Sequence, residues 1–269
     1  MRITKRILTL YSLVIIMVMT EIIGSSCSST QSGLIIFAAA GAKAPLDEIC
    51  QRFEQQHDTR VAINYGGGGE VLSQMELSRS GDIYIAPEQS FMETAVDKQT
   101  IDPDTIKDIA YMIPVIAVQK GNPQNITSLA DLARPGINLA ITRIETTLLG
   151  QYALDIFDKA AITEDIEKNI VTQAARPDIL LTMLMMGQVD AGIIWHFYRV
   201  QADQYIEAIF LSADQLTGIG EMQAAISTYS SNKEKAQQFM DFLVSESCKF
   251  IFEDAGYIVD AEEVQQYWQ

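Results

Sequence analysis

The chain has 269 residues, 48% of them hydrophobic, with 35 acidic against 19 basic side chains and a net charge of −16. That length suits one large domain or two lobes, and the acidity excludes a nucleic-acid binder, which needs a basic face. It does not exclude an anionic ligand, because backbone N–H groups inside a cleft set the local field there.

Arg2, Lys5 and Arg6 precede an apolar run from Ile7 to Thr20, the plan of a secretory signal. The run is short for a spanning helix, which needs about 20 apolar residues. Gly24-Ser25-Ser26 directly before Cys27 resembles the lipobox of bacterial lipoprotein precursors, which implies cleavage before Cys27 and a lipid on its sulfur. An ordinary signal cut near Ser26 is the alternative. Residues 1–26 are thus expected to be a signal peptide and residues 27–33, polar and small, a flexible tether. Losing residues 1–26 removes three basic and one acidic side chain and leaves a charge of −18. The native protein should have the intact mass of a chain that begins at an acylated Cys27. A different N-terminus with no lipid mass would remove the tether.

Leu34 to Ala40 reads as a strand, and Leu46, Ile49, Cys50 and Phe53 then recur at helical spacing. Pro45 suits the first turn of that helix. Val61 to Tyr65 is a second strand running into Gly66-Gly67-Gly68-Gly69, after which Val71, Leu72 and Met75 mark a helix. Asp82 to Ala86 is a third strand, followed by a helix with Phe91, Met92, Ala95 and Val96. Ile113 to Val118 is apolar and ends at the turn cluster Lys120-Gly121-Asn122-Pro123, which suggests a lobe boundary. The pattern then restarts, with strands at Asn138–Thr142, Ile170–Gln173, Ala191–Trp195 and Met222–Ser227 and helices near 148–158 and 178–186. One long amphipathic helix is expected over Asn232–Glu253. Alternation of strand and helix predicts mostly parallel sheets covered by helices.

Two loops could hold chemistry, Ala38 to Lys43 and the four-glycine run. Each joins the end of a strand to the start of a helix, where N–H groups lack helical partners and the dipole favours anions. Neither a dinucleotide fingerprint nor a Walker loop is present. Cys50 and Cys248 have no metal spacing and are expected as buried free thiols, a disulfide being the alternative. His196 has no placed acid or nucleophile beside it, and no catalytic set is legible. The chain is therefore expected not to be an enzyme and to need no cofactor.

Phe37-Ala38-Ala39-Ala40-Gly41, Asn64-Tyr65-Gly66-Gly67-Gly68-Gly69, Gly81-Asp82-Ile83-Tyr84-Ile85 and Asp190-Ala191-Gly192-Ile193-Ile194-Trp195 follow one another as in periplasmic molybdate-binding proteins of ABC importers. Lys233 to Phe252 followed by Gly256-Tyr257 is similar to the closing helix of that wider family. The resemblance implies a type II periplasmic-binding fold, two α/β lobes joined by two crossover segments with the ligand cleft between them. Lobe 1 is expected to comprise 34–116 and 224–269, and lobe 2 to comprise 117–223. It also implies a periplasmic or extracellular location, a small oxyanion ligand such as molybdate or tungstate, an ABC importer permease as partner, and a monomer.

By resemblance, Gly41 and Gly68 stand where ligand-contacting serines are common, Leu149 supplies a backbone donor from the other lobe, and Trp195 replaces a tyrosine. Three hydroxyls are thus absent. Each hydrogen bond to a charged group contributes about 1.5–3 kcal/mol, so an oxyanion site needs replacements. Backbone N–H groups of Gly41, Ala42, Gly67, Gly68 and Gly69, the indole of Trp195, and the guanidinium of Arg143 or Arg176 are the candidates. The same fold retuned to another solute, or used as a sensor module or enzyme, is the competing expectation.

Overall fold

The computed structural model describes residues 33–268; the expected signal, the tether up to residue 32 and Cys27 lie outside them. The first of two five-stranded sheets has the order β2-β1-β3-β10-β4, built from β1 (Leu34–Ala39), β2 (Val61–Gly66), β3 (Ile83–Ala86), β4 (Lys107–Met112) and β10 (Gly220–Ile226). The second has the order β7-β6-β8-β5-β9, from β5 (Pro114–Gln119), β6 (Leu139–Thr142), β7 (Ile170–Ala174), β8 (Ala191–Trp195) and β9 (Ile206–Phe210). The two sheets share one plan. Three strands run parallel on one side, and the fourth pairs antiparallel with both its neighbours.

Burial explains which strands are legible. β3, β6 and β8 are buried at every residue and read as unbroken apolar runs, as strands covered on both faces must. β2 and β7, at sheet edges, alternate between more and less exposed positions. The expected mostly parallel sheets are mixed: β10 runs antiparallel to β3 and β4, and β5 runs antiparallel to β8 and β9.

The lobe boundary also moves. The expected change at 116/117 falls inside β5; the chain crosses at Ile113, the single residue between β4 and β5, and returns through residues 211–219 before β10. The turn cluster after Lys120 ends β5 and does not separate lobes. At the first crossing, Ile113 N–H donates to His196 Nδ1 at 3.1 Å, and His196 N–H donates to the Ile113 carbonyl at 3.0 Å. At the return, Tyr152 donates its hydroxyl to the Ile219 carbonyl at 3.0 Å.

Helix α1 (Lys43–His57) buries Leu46, Ile49, Cys50 and Phe53 against the first sheet and stops where Asp58 turns left-handed at φ 46°. The expected single C-terminal helix is two, α9 (Lys233–Leu243) and α10 (Glu246–Asp254), broken at extended Ser245. Serine favours such boundary positions because its hydroxyl competes for backbone groups. Phe239 of α9 meets Phe53 edge-on at 5.0 Å, so the end of the chain packs back onto the first lobe. Fully burying a side chain such as Phe53 contributes about 1.5–3 kcal/mol. Cys50 and Cys248 are buried free thiols. Among the described residues, no helix is long and apolar enough to cross a membrane.

Candidate functional site

Open α/β sheets present ligands at the carboxyl ends of their strands, where loops lead into helices. Both sheets point such ends at one cavity of about 320 Å³. The first lobe contributes Ala39, Ala40 and Gly41 after β1, Gly66 to Glu70 after β2, and Pro87 and Glu88 after β3. The second contributes Thr146 and Thr147 after β6, Ala175 to Asp178 after β7, and Trp195, Phe197 and Tyr198 at and after β8. Four helices begin here: α2 (Gly68–Ser78), α3 (Gln89–Asp97), α5 (Leu148–Lys159) and α7 (Pro177–Met185). Their first-turn N–H groups lack intrahelical acceptors, so the walls carry partial positive charge.

The glycine loop is shaped by its neighbours. A Cβ at Gly68 would lie 2.6 Å from Pro87 Cγ and 3.0 Å from Phe91, so the space a serine would need is filled. Tyr84 holds the same residue from below by donating to the Gly68 carbonyl at 3.1 Å. Gly67 N–H is already taken, donating to Glu70 Oε2 at 3.2 Å, which leaves the start of α2 at Gly68 and Gly69 for a ligand. Gly41 differs: a Cβ there would sit in ordinary contact, 3.7 Å from Phe197 and 3.8 Å from the Tyr198 hydroxyl. Tyr257 donates to the Gly41 carbonyl at 2.8 Å and stacks on Phe197, pinning this corner.

On the second lobe, Thr147 caps α5 by accepting the Gly150 N–H at 3.0 Å. Gly150 is glycine for a steric reason: a Cβ would lie 2.5 Å from the Thr142 carbonyl oxygen and 2.6 Å from that of Arg143. Arg176 is the N-cap of α7, and its guanidinium grips Asp178 through Nε at 3.0 Å and Nη2 at 2.9 Å. That pairing raises the Arg176 pKa further and lowers that of Asp178. The arm of Arg176 reaches across the cleft, with Cδ 3.4 Å from the position of a Cβ at Gly67. Trp195 is buried in the seam between lobes; a Cβ at Gly220 would lie 2.9 Å from its ring, and Tyr152 meets it edge-on.

Of the expected site residues, Gly41, Gly67, Gly68, Gly69, Arg176 and Trp195 line the cavity together. Ala42 and Leu149 are fully buried and do not. The N–H that points across the cleft is that of Leu148, which donates to Glu88 Oε2 at 3.2 Å. Arg143 is exposed and does not line the cavity, which leaves Arg176 as the cleft guanidinium. His196 lies behind the site, with burial pushing its pKa down to about 3, so it stays neutral. Among the described residues, no group of His, Cys, Asp and Glu could hold a metal ion.

Four cavity residues carry no signal that the sequence reading used. Glu88 follows the end of β3 and could have been found by asking what stands at each strand's carboxyl end. Thr147, a cap residue ahead of an apolar helix, could have been found the same way. Tyr198 is hidden in the apolar run Trp195 to Tyr198, and Asp178 reads as an ordinary first-turn acid.

A family model for bacterial extracellular solute-binding proteins matches residues 34–258, both lobes of the fold. The chain belongs to that family. A Haemophilus influenzae protein described as a binding protein is 28% identical over 241 residues, 89% of this chain and 96% of its own. The molybdate-binding protein ModA of Escherichia coli is 21% identical over 248 residues, 88% of this chain and 93% of its own. Among solved structures, the sulfate-binding protein SubI of Mycobacterium tuberculosis superposes with a TM-score of 0.73 at 16% identity, covering 87% of this chain and 90% of that one. These likenesses agree with the two-lobed fold and with a molybdate-binding-like solute-binding protein. The cavity of this family member therefore lies where two equivalent lobes meet.

Proposed function

We propose that the chain captures a tetrahedral oxyanion, or a small solute bearing an oxyanion group, between its lobes and delivers it to an ABC importer, tethered to the membrane by lipid on Cys27. The observation that carries this reading is the convergence of helix starts from both lobes, α2 and α3 facing α5 and α7, on one cavity. Anions are favoured at such ends because N–H groups and helix dipoles point at them. Donors for the missing serine hydroxyls would come from the start of α2, from Tyr198 and from Arg176. A walled site with no nucleophile and base in register supports binding over chemistry.

Each face of the site stands on a different lobe, so a ligand can be surrounded only when the lobes come together. Ile113 and residues 211–219 are the two places where the chain can bend to allow it. A thermal-shift screen of molybdate, tungstate, sulfate and phosphate tests the reading, since a ligand that binds only the folded state raises its melting temperature. A binding anion should change the tryptophan emission of a Trp268→Phe variant as much as that of the wild type, and the response should be lost in Trp195→Phe. No shift with any of these anions would end the oxyanion reading, and a response that follows Trp268 would move the site.

A further inference from the structure

Glu88 is a carboxyl group in a place built for anions. Its backbone is the N-cap of α3, yet its side chain makes no capping bond to that helix and turns into the cleft, 3% exposed. There it accepts the Leu148 N–H at 3.2 Å, the start of a helix on the opposite lobe and the kind of donor a bound oxyanion would take. Among the described residues, no cation offsets it. The one guanidinium of the cavity is committed to Asp178, and neither lysine nor histidine is among the lining residues. The titratable groups around it are Tyr84 from β3, Tyr152 from α5, Tyr198 after β8, Glu70 from α2 and the Arg176–Asp178 pair of α7. Burial raises the pKa of all three tyrosines, so their hydroxyls stay protonated and add no charge.

Two anionic oxygens cannot share a buried space without a proton or cation between them, because each loses water and repels the other. A tetrahedral anion entering this cavity meets Glu88 from the side of α3 and α5. One of the two must then bring a proton.

Resting on the reading of the cavity as an anion cradle, we infer that Glu88 is its specificity-determining residue: a single proton lies between the Glu88 carboxyl group and the bound anion, so the site favours anions that carry their own O–H, of the hydrogen phosphate class, over fully deprotonated molybdate, tungstate or sulfate. The local environment is consistent with this, since burial pushes the Glu88 carboxyl up to about 7. Below that pH Glu88 brings the proton itself and does not discriminate. Above it, only an anion with an O–H can complete the bond.

Calorimetric affinities for inorganic phosphate, molybdate and sulfate, measured from about pH 6 to about pH 9 on the full-length mature protein and on Glu88→Gln, test this. In the wild type, molybdate and sulfate should weaken by up to about tenfold per pH unit above about pH 7, the slope of one linked proton, while phosphate shows no such loss. Glu88→Gln, whose amide donates at every pH, should flatten the molybdate and sulfate profiles and raise their affinity at pH 9 at least tenfold. Pairing Glu88→Gln with Tyr84→Phe, which alters the same wall without touching the carboxyl group, separates this effect from general damage to the loop. A wild-type molybdate profile that is flat, or a slope that persists in Glu88→Gln, overturns the role of Glu88 while leaving the anion cradle standing. Failure of all three anions to bind either protein at any pH overturns the cradle itself, and this inference with it.

Discussion

Arg176→Ala is expected to weaken anion binding by about 1.5–3 kcal/mol, roughly 10- to 150-fold in Kd, the usual worth of a hydrogen bond to a charged group. Arg176 is the one guanidinium among the residues lining the cavity, and its arm already spans both lobes beside Gly67. Its loss has a second consequence. Asp178, now held by two hydrogen bonds from Arg176, would be left as an unpaired carboxylate on the cavity wall, opposing any anion. Asp178→Asn should act in the other direction, releasing the guanidinium toward the ligand and strengthening binding, because an amide holds the fork less firmly than a carboxylate. Calorimetry on the two variants decides the point. Unchanged affinity in Arg176→Ala would reduce Arg176 to a partner of Asp178 and remove it from the site.

Stability without ligand should pass through a plateau between about pH 4.5 and 6.5 and fall on the acid side. Two buried groups with opposite signs produce this. His196, whose Nδ1 accepts the Ile113 N–H at the first lobe crossing, has its pKa depressed from 6.5 to about 3, chiefly by burial. The unfolded chain therefore binds a proton that the folded chain refuses, so this contribution is full above pH 6.5 and is lost as pH falls toward 3. Glu88 runs the other way: raised from 4.5 to about 7, it holds a proton in the folded state that the unfolded chain releases, and that stability is full below pH 4.5 and lost as pH rises to 7. Each slope is at most ~1.4 kcal/mol per pH unit, so the two offset one another where they overlap. Below pH 4.5 His196 acts unopposed, and the carboxylates of Asp47 and Asp178, both held below their usual range, add to the acid loss. Denaturant unfolding of the wild type and His196→Gln across this range isolates the imidazole. The variant should show less acid loss between pH 6.5 and 3 by up to one proton's slope, and identical slopes would mean that His196 titrates normally in the folded chain.

Much of this protein was determined along the chain itself. The buried strands β3, β6 and β8 are continuous apolar runs because both their faces are covered, and their order with the helices specifies an α/β fold before any contact is known. The glycine run after β2 and the strand-to-helix loop after β1 were legible as loops leading into helix starts, and both line the cavity. Tertiary structure alone decided the rest. β4 and β9 exist as strands because neighbouring strands supply their hydrogen bonds, and the lobe crossing sits at Ile113 because His196, 83 positions away, binds its N–H. The absent serine at Gly68 follows from Pro87 and Phe91 filling its space, and Gly150 from the carbonyls of Thr142 and Arg143. Glu88 gives no local sign of its placement, since only the approach of α5 from the other lobe turns an ordinary acid after a strand into a buried carboxyl group lining the cavity. Local sequence encodes what a segment can form by itself, whereas burial and charge in a cleft depend on segments that meet only after the two lobes have folded.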